Sequence, residues 1–385
     1  MTRLVAIDFF CGAGGMTNGL IQAGIHVIAG VDNEPHCAST YKQNKNASGV
    51  APEFICNDIF PRSKKYPNGE QHLIQEKIEY LLRQYKKETR YRKLKIIFAI
   101  CAPCQPFTKI TKIQMSSSSQ YKRDNDSDLL LTTLKLIKYF RPAAIICENV
   151  EGISEGDNSV LQAFKRRLAR AGYGFDADVI NTADYGIPQS RKRTIGLAFD
   201  KNVYEGPFEI LKKNPRLKKY ATVHTVIGKL PPLAAGEIHP RIPNHRARNL
   251  SELNLKRISC AQPGESNRYL IDTPYGDLSL ACHKRIEKRT GARSFSDTYT
   301  RMRGDGLAPT ITTKFISITN GRFGHYDTQQ NRAITPREAA LLQTFPRSYV
   351  FYPEDNIEFT ATLIGNAVPP KLARFFGQYV SQLLN

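Results

Sequence analysis

Short apolar runs alternate with amphipathic stretches through the first 171 residues of the chain. Each apolar run has the length of one buried strand, and the stretches between them carry apolar residues at helical spacing. Such alternation is typical of an α/β fold in which helices cover both faces of a mainly parallel, doubly wound sheet. The predicted strands are residues 4–9, 26–31, 96–100 and 144–147, and the predicted helices are residues 18–23, 34–42, 129–140 and 160–171.

The periodicity weakens after residue 200, where prolines, histidines and basic residues become frequent. Residues 201–330 contain 22 Lys and Arg against 11 Asp and Glu. We therefore expect a second, smaller domain at residues 201–330. Helix-like runs at residues 336–343 and 371–384 should return to the first domain, which would consist of residues 1–200 plus 331–385.

The charge balance points to a polyanionic partner. The whole chain has 55 Lys and Arg against 35 Asp and Glu, a net charge of +20 and a pI near 9.6. A well-solvated surface would explain part of this excess. An excess of this size favours nucleic acid, because each phosphate that is neutralised releases counterions.

The lengths of the apolar runs and the spacing of the cysteines argue against a membrane protein, a secreted protein and a zinc protein. No run approaches the roughly 20 apolar residues of a membrane span, and the first ten residues do not read as a secretory signal, so we expect a cytoplasmic protein without a membrane partner. The eight cysteines are expected to be reduced thiols. Cys101 and Cys104 form the one close pair, and a zinc site would need a second pair nearby, so no metal is expected.

Two polar segments interrupt the alternation. Residues 61–95 are basic and helix-prone, which is typical of a surface helix. Residues 109–128 have no apolar period, and a loop of about 20 residues in a compact domain is often a functional lid.

A glycine-rich turn follows the first predicted strand and opens the next helix, in the sequence Asp8-Phe-Phe-Cys-Gly-Ala-Gly-Gly15. Glycines such as Gly12 and Gly14 let a nucleotide-like cofactor approach the backbone at this place in a doubly wound fold. Asp32 ends the second strand, where a carboxylate can accept both ribose hydroxyls. A tight turn without a ligand is the alternative.

Cys104 lies in the sequence Pro103-Cys-Gln-Pro106, just after the predicted strand at residues 96–100. A thiol that starts a loop beside backbone N–H groups can ionise and act as a nucleophile. A lone cysteine is more often a small buried residue. Prolines on both sides of Cys104 and Gln105 favour a shaped loop instead.

Two further motifs carry charged side chains. Glu148 emerges from four apolar residues and could pass a proton to a ring nitrogen, although a structural ion pair is also possible. Gln189, Arg191 and Arg193 alternate and would share one face of a strand. Two guanidiniums on one face suit a carbonyl, carboxylate or phosphate, although an ordinary basic strand has the same pattern.

Taken together, these motifs closely resemble those of the DNA cytosine-5 methyltransferase family. Residues 8–20 resemble its first cofactor motif, residues 103–105 its catalytic loop, residues 148–150 its acidic motif and residues 189–193 its arginine motif. Residues 333–346 and 365–370 resemble its last two motifs, and residues 304–313 the end of its recognition domains. The resemblance implies a Rossmann-like methyltransferase sheet with 201–330 as a target-recognition domain.

The resemblance also implies two sets of functional residues. Those that would bind S-adenosyl-L-methionine are Phe10 at the adenine face, Gly12 and Gly14 in the turn, Asp32 at the ribose, Asp58 and Ile59 at the adenine edge, and Leu129, Asn366 and Val368 at the methionine end. Those that would act on cytosine are Cys104 on C6 with Gln105 beside it, Glu148 at N3 and the exocyclic amine, Arg193 at O2, and Arg191 steadying Glu148.

The implied activity is methyl transfer to C5 of cytosine in a specific double-stranded DNA sequence, through a flipped-out base. We expect a monomer on DNA, associated with the nucleoid and paired with a restriction endonuclease for the same site. The alternatives are a tRNA cytosine-5 methyltransferase, a catalytically silent DNA-binding module and an oxidoreductase. The length of the recognition region favours DNA over tRNA, and the full set of motifs disfavours the other two.

Overall fold

A computed structural model of the protein describes residues 2–89, 91, 93–103, 129–154, 159–291 and 296–385. The predicted lid at residues 109–128 lies outside them. The chain divides into two compact units. Unit 1 comprises Met1–Tyr185, Lys192–Leu217 and Val368–Asn385, and unit 2 comprises Gly186–Arg191 and Lys218–Ala367. Residues 331–367 therefore pack within unit 2, although the predicted domain boundaries joined them to the first domain.

Unit 1 is built on a seven-stranded sheet within the described residues, in the order β3-β2-β1-β4-β5-β7-β6. β7 runs in the opposite direction to the other six strands. The strands are β1 (Thr2–Phe9), β2 (His26–Asp32), β3 (Glu53–Cys56), β4 (Lys93–Ile100), β5 (Ala144–Val150), β6 (Tyr173–Asn181) and β7 (Lys192–Asp200). The predicted doubly wound α/β class is confirmed.

Helices alternate with these strands along the chain. They are α1 (Gly15–Gln22), α2 (Cys37–Tyr41), α3 (Gln71–Thr89), α4 (Leu134–Phe140) and α5 (Val160–Arg170). The basic segment at residues 61–95 contains α3, which buries Ile74, Ile78 and Leu82 as a stripe at four-residue spacing. Among the helices that the structure describes, none combines the length and the apolar character of a bilayer span.

The strand order creates a crevice between β1 and β4. The chain leaves β1 outward to β2 and β3, and later returns to place β4 and β5 on the other side. The connections after β1 and β4 therefore diverge to opposite sides. In open α/β sheets, ligands bind at the carboxyl ends of the strands at such a point of divergence.

Unit 2 relies on short helices and on side chains that bind the backbone. Its helices are α6 (Val223–Ile227), α7 (Glu252–Ser259), α8 (Ala281–Thr290), α9 (Pro336–Leu342) and α10 (Ile357–Asn366). The fully buried Arg301 guanidinium donates to the backbone carbonyls of Ile258, Ala261, His325, Asp327 and Gln330. A buried bidentate pair between Arg332 and Glu338, both contacts at 2.8 Å, fixes the start of α9.

The chain ends in a C-terminal helix (Pro370–Leu384) that packs against α1 within unit 1. Gly19 of α1 makes this close approach possible, because a Cβ built there would lie 2.3 Å from the Pro370 carbonyl oxygen and 2.4 Å from the Ala373 Cβ. Gly377 meets α1 less tightly, with its nearest neighbour at 3.0 Å. The return of the last helix to the first unit follows from this contact.

Gly19→Ala should lower the free energy of unfolding by about 2 kcal/mol or more, because backbone must move to admit the methyl group. Helix propensity alone would make the same change favourable by about 1 kcal/mol. Gly377→Ala is the matched control in the same interface, where the nearest atoms are at 3.0 Å or more, so that a small steric cost should be offset by helix propensity and its net effect should be near zero. Urea unfolding of both variants tests this, and equal stabilities would contradict the assigned contact.

Candidate active site

The glycine turn after β1 lies against the end of β2. Phe10, Gly12 and Gly14 all have positive φ, at 61°, 47° and 79°. This conformation is cheap for glycine and costly for Phe10. The Phe10 N–H donates to the Val31 carbonyl at 2.8 Å, and the Gly12 N–H donates to Asp32 Oδ2 at 2.8 Å. The turn is thereby tied to the carboxylate that ends β2.

Asp32 has capacity for further donors. Its Oδ1 accepts the Glu34 N–H at 3.0 Å, and the Asn33 N–H also donates to the carboxylate, so three backbone donors leave part of its roughly four acceptor positions open. Burial raises the pKa of Asp32, and the N–H groups of Glu34 and Gly12 offset part of that rise. A pair of hydroxyl donors would suit this carboxylate.

The surroundings of Asp32 fit an adenosine-like group. A Cβ built on Gly12 would meet no atom within 4 Å, so the turn opens onto free space. Asp58 Oδ1 accepts the Phe60 N–H at 3.0 Å, the Asp58 N–H donates to Glu70, and Ile59 is buried beside them. Phe10 borders the same apolar core at the sheet edge.

The three residues predicted to line the methionine end of the cofactor lie in different parts of the structure. Leu129 is buried in the core of unit 1. Val368 is buried in the segment before the C-terminal helix, also in unit 1, whereas Asn366 ends α10 in unit 2 and is exposed.

A buried hydrogen-bond chain behind the turn was missed by the sequence analysis. Asp8 Oδ2 accepts the Thr17 N–H at 3.0 Å and the Thr17 hydroxyl at 2.7 Å, and Thr17 Oγ1 lies 3.0 Å from the Tyr41 hydroxyl. Burial raises the pKa of Asp8 from 3.8 to about 7, against the Thr17 hydrogen bonds. A charged residue inside the apolar run of β1 was the available signal.

The acidic and arginine motifs meet at the ends of β5 and β7. Arg193 Nε lies 3.0 Å from Glu148 Oε1, and the two side chains are 13% and 10% exposed. The strand register brings them together, because Val150 of β5 pairs with Arg193 of β7. A largely desolvated ion pair therefore stands at the carboxyl end of β5.

Asn149 holds the segment that leaves β4 next to this pair. Its Nδ2 donates to the Ala102 carbonyl at 3.0 Å, and the Cys101 N–H donates to the Phe9 carbonyl at 3.3 Å. Burial, followed by the nearby Glu148 carboxylate, raises the pKa of the Cys101 thiol well above its usual range, so Cys101 is a neutral thiol. Cys104 and Gln105 lie outside the described residues.

Arg191 does not steady Glu148, and the predicted shared strand face is wrong. β7 begins at Lys192, because the preceding residues pair with Ala308 through Gln189 and Ser190. The Arg191 guanidinium is buried and donates to the carbonyls of Ile311 at 2.9 Å and Gly365 at 3.2 Å, all within unit 2. Arg193 takes the position beside Glu148 that the prediction gave to Arg191.

Gln189 also organises unit 2. Its Nε2 donates to Gln343 Oε1 at 2.8 Å, and its Oε1 accepts the Ile311 N–H at 2.7 Å. Of the three polar residues in the arginine motif, Gln189 and Arg191 therefore bind within unit 2, whereas Arg193 pairs with Glu148.

A known protein family and its members match almost the whole chain. The model of the C-5 cytosine-specific DNA methylase family matches residues 4–382. The Type II methylase M.HgiDII of Herpetosiphon aurantiacus is 36% identical over 381 residues, covering 98% of this chain and 95% of that protein. The Type II methyltransferase M1.HphI of Haemophilus parahaemolyticus is 29% identical, covering 99% and 87%.

Solved structures show the same fold. A crystal structure described as a DNA modification methyltransferase encoded within an E. coli prophage superposes with a TM-score of 0.68 at 20% identity, covering both chains completely. S. pombe Dnmt2 methyltransferase gives a TM-score of 0.57 at 16% identity, covering 99% of each chain.

The fold and the motifs at its strand ends define a methyltransferase of DNA. The chain belongs to the C-5 cytosine-specific DNA methylase family. The predicted enzyme class, DNA cytosine-5 methyltransferase, is confirmed, and the family and fold imply the use of S-adenosylmethionine.

The buried Asp8 should make stability depend on pH. Its folded-state pKa near 7 exceeds the ordinary 3.8, so the folded protein retains a proton that the unfolded chain releases. Stability should therefore fall as pH rises from about 4 to 7, by roughly 2–4 kcal/mol for this group. Asp8→Asn, which does not titrate, should remove that part of the decline.

Urea unfolding across this pH range measures the difference between wild type and Asp8→Asn. Glu76→Gln on the exposed face of α3 is the control, and its curve should run parallel to wild type. Parallel curves for Asp8→Asn as well would show that Asp8 is not held protonated.

Proposed function

We propose that this enzyme methylates C5 of cytosine in a specific duplex sequence through a covalent bond from Cys104 to C6 of a flipped-out base. One observation supports this more than any other. The Glu148–Arg193 pair stands at the carboxyl end of β5, and Asn149 holds the segment leading to Cys104 beside it. A carboxyl group that can hydrogen-bond to a ring nitrogen and the approach to a nucleophile thus share one sheet edge.

The chemistry requires these groups because cytosine C5 is a weak nucleophile. Addition of the Cys104 thiolate to C6 breaks the aromaticity of the ring and places carbanion character on C5. A proton or hydrogen bond from Glu148 to N3 spreads that charge. S-Adenosylmethionine supplies an electrophilic methyl group to C5. Loss of the C5 proton to a base then allows elimination, which restores the ring and frees the Cys104 thiolate.

Arg193 orients Glu148 and has a donor to spare. Its Nε faces Glu148 Oε1, and its Nη1 donates to the Lys192 carbonyl at 2.7 Å. Since a guanidinium has five N–H donors, Nη2 is suited to the cytosine O2. In the same proposal, Gln105 supports the loop that presents Cys104.

The cofactor residues would act as the family resemblance implies. Asp32 would accept the ribose hydroxyls and Phe10 would stack on adenine beside the turn of Gly12 and Gly14. Asp58 and Ile59 would meet the adenine edge. Leu129, Asn366 and Val368 would line the methionine end.

The basic residues 201–330 would help to extrude the target base from the duplex. Flipping a cytosine out of a duplex costs a few kcal/mol. Phosphate contacts from residues 201–330, the proposed target-recognition domain, would offset this cost. Arg191 would maintain the recognition unit through Ile311 and Gly365.

The names of the relatives support a restriction-modification role. M.HgiDII and M1.HphI are both described as Type II enzymes. We infer that a restriction endonuclease reading the same site accompanies this enzyme, and that it acts as a monomer on chromosomal DNA in the cytoplasm.

Cys104→Ser should reduce methyl transfer by at least about 1000-fold, because a hydroxyl is a far weaker nucleophile than a thiolate. DNA binding should remain within about threefold, since the change conserves size and charge. Cys282→Ser, at an exposed thiol of α8, is the matched control and should keep full activity. Tritiated methyl transfer to duplex DNA and to tRNA measures the activity, and anisotropy measures binding.

A second experiment tests the covalent bond between Cys104 and cytosine C6 directly. Substrate DNA containing 5-fluorocytosine should trap the wild-type enzyme in a denaturation-resistant complex, because fluorine cannot leave in the final elimination. Cys104→Ser should form none. Full turnover by Cys104→Ser, or no trapping by the active wild type, would contradict the proposed intermediate.

Asp32→Ala should weaken S-adenosylmethionine binding about 10- to 100-fold, through the loss of hydrogen bonds to a charged acceptor. DNA affinity should change far less. Glu34→Ala removes a nearby, partly exposed carboxylate and serves as the control. Calorimetry with each ligand ranks the effects, and a larger loss for DNA than for S-adenosylmethionine would refute the ribose assignment.

A further inference from the structure

A second cleft lies in unit 1, two strands away from Glu148. It occupies about 300 Å³ between the C-terminal helix, the turn after β6 and the chain that follows β7. Because β5 and β6 both run antiparallel to β7, they are parallel to each other, and the turn Thr182–Tyr185 follows β6 at the carboxyl edge of the sheet. The end of the cleft at Tyr185 therefore lies at the same edge as the candidate active site.

The walls of the cleft are well anchored. The Tyr185 ring packs edge-on against Phe375 at 4.9 Å between centroids, and its hydroxyl donates to the Leu211 carbonyl. The Asn214 N–H donates to the Asp184 carbonyl at 3.0 Å, and Asn214 Oδ1 accepts the Arg216 N–H at 3.0 Å. These bonds hold the segment that carries Arg216 against the C-terminal helix.

The lining of the cleft is cationic. Arg216, Lys371 and Arg374 contribute to it, together with side-chain amides and aromatic rings, and no acidic side chain does. Arg216 and Arg374 form no ion pair with any residue in the described part of the chain. Partial burial and the nearby Arg374 lower the pKa of Lys371, as expected where like charges are crowded. An anion in the cleft would relieve that repulsion.

Neither Arg216 nor Arg374 has a part in the active site described above. Guanidiniums recognise phosphate oxygens through two N–H groups at once, and aromatic walls beside them are common where nucleic acid binds. The Tyr185 end of the cleft, at the carboxyl edge, would let a duplex engaged at Glu148 extend its backbone toward Arg216.

We propose that the cleft formed by Arg216, Lys371 and Arg374 is a phosphate-binding site that holds the backbone of the DNA duplex outside the target base. The choice of DNA over a free phosphate compound rests on the proposed function. Recognition of a phosphate group does not depend on the proposed function, because it is inferred from the positive charges that line the cleft and from the volume of the cleft.

The test uses Arg216→Gln plus Arg374→Gln in the full chain, with each single variant alongside. Both side chains are exposed, so the changes should leave the fold intact. The matched control is Arg166→Gln plus Arg170→Gln on the exposed C-terminal half of α5, which runs back from the carboxyl edge. Both double variants lose the same charge, so long-range electrostatics are balanced.

Two probes are measured by equilibrium binding: a labelled duplex of random sequence at several salt concentrations, and inorganic pyrophosphate. Loss of two phosphate contacts should reduce the slope of log affinity against log salt by about 2, since each contributes roughly 0.9. We expect this reduction, with about tenfold weaker duplex binding, in the cleft variant relative to its control.

If the cleft variant loses only pyrophosphate binding, the phosphate site stands and its occupant is a free phosphate compound. If it matches the control with both probes, the proposal is overturned. Methyl transfer is not the readout, so a failure here is distinct from a failure of the Cys104 chemistry.

Discussion

The central strands β1, β4 and β5 are buried on both faces, and this burial governs where polar chemistry can occur. Val5, Ile7, Phe98, Ile100 and Ile145 are completely covered. A polar side chain within such a layer must find partners or move to a strand end. Because these strands are parallel, their carboxyl ends meet at one edge, and Glu148, Asn149 and the glycine turn gather there.

Buried charged groups find partners in different ways in the two units. In unit 1, Glu148 forms an ion pair with Arg193 and Asp8 Oδ2 accepts the Thr17 hydroxyl, whereas Asp8 Oδ1 and Glu148 Oε1 are buried without a hydrogen-bond donor among the described residues. In unit 2, guanidiniums bind backbone carbonyls that no strand ladder satisfies, as Arg301 does. Burial alone would raise the pKa of Glu338, but the Arg332 guanidinium lowers it below its ordinary value. Unit 2 therefore depends on individual arginines where unit 1 depends on a sheet.

The apolar runs located β1, β2, β4 and β5 to within a few residues, because a strand covered on both faces needs continuous apolar sequence. β3 and β6 escaped prediction for the opposite reason. β3 has four residues at one sheet edge, and β6 reads Tyr-Gly-Phe-Asp-Ala-Asp-Val-Ile-Asn at the other, where partial exposure permits polar side chains. The side chains of the arginine motif were oriented wrongly, since the start of β7 depends on a distant pairing with Ala308.

The sequence by itself determined the class of sheet, the order of the motifs and the residue types at the strand ends, because these follow from local periodicity and from chemistry at fixed spacing. Only the tertiary structure decided which groups meet: Arg193 rather than Arg191 with Glu148, Asn149 with Ala102, Thr17 between Asp8 and Tyr41, and Gly19 beneath the last helix. Each of these contacts joins segments that are distant in the chain or that are brought together by the strand register. Such contacts depend on the packing of the whole layer, which no local pattern encodes.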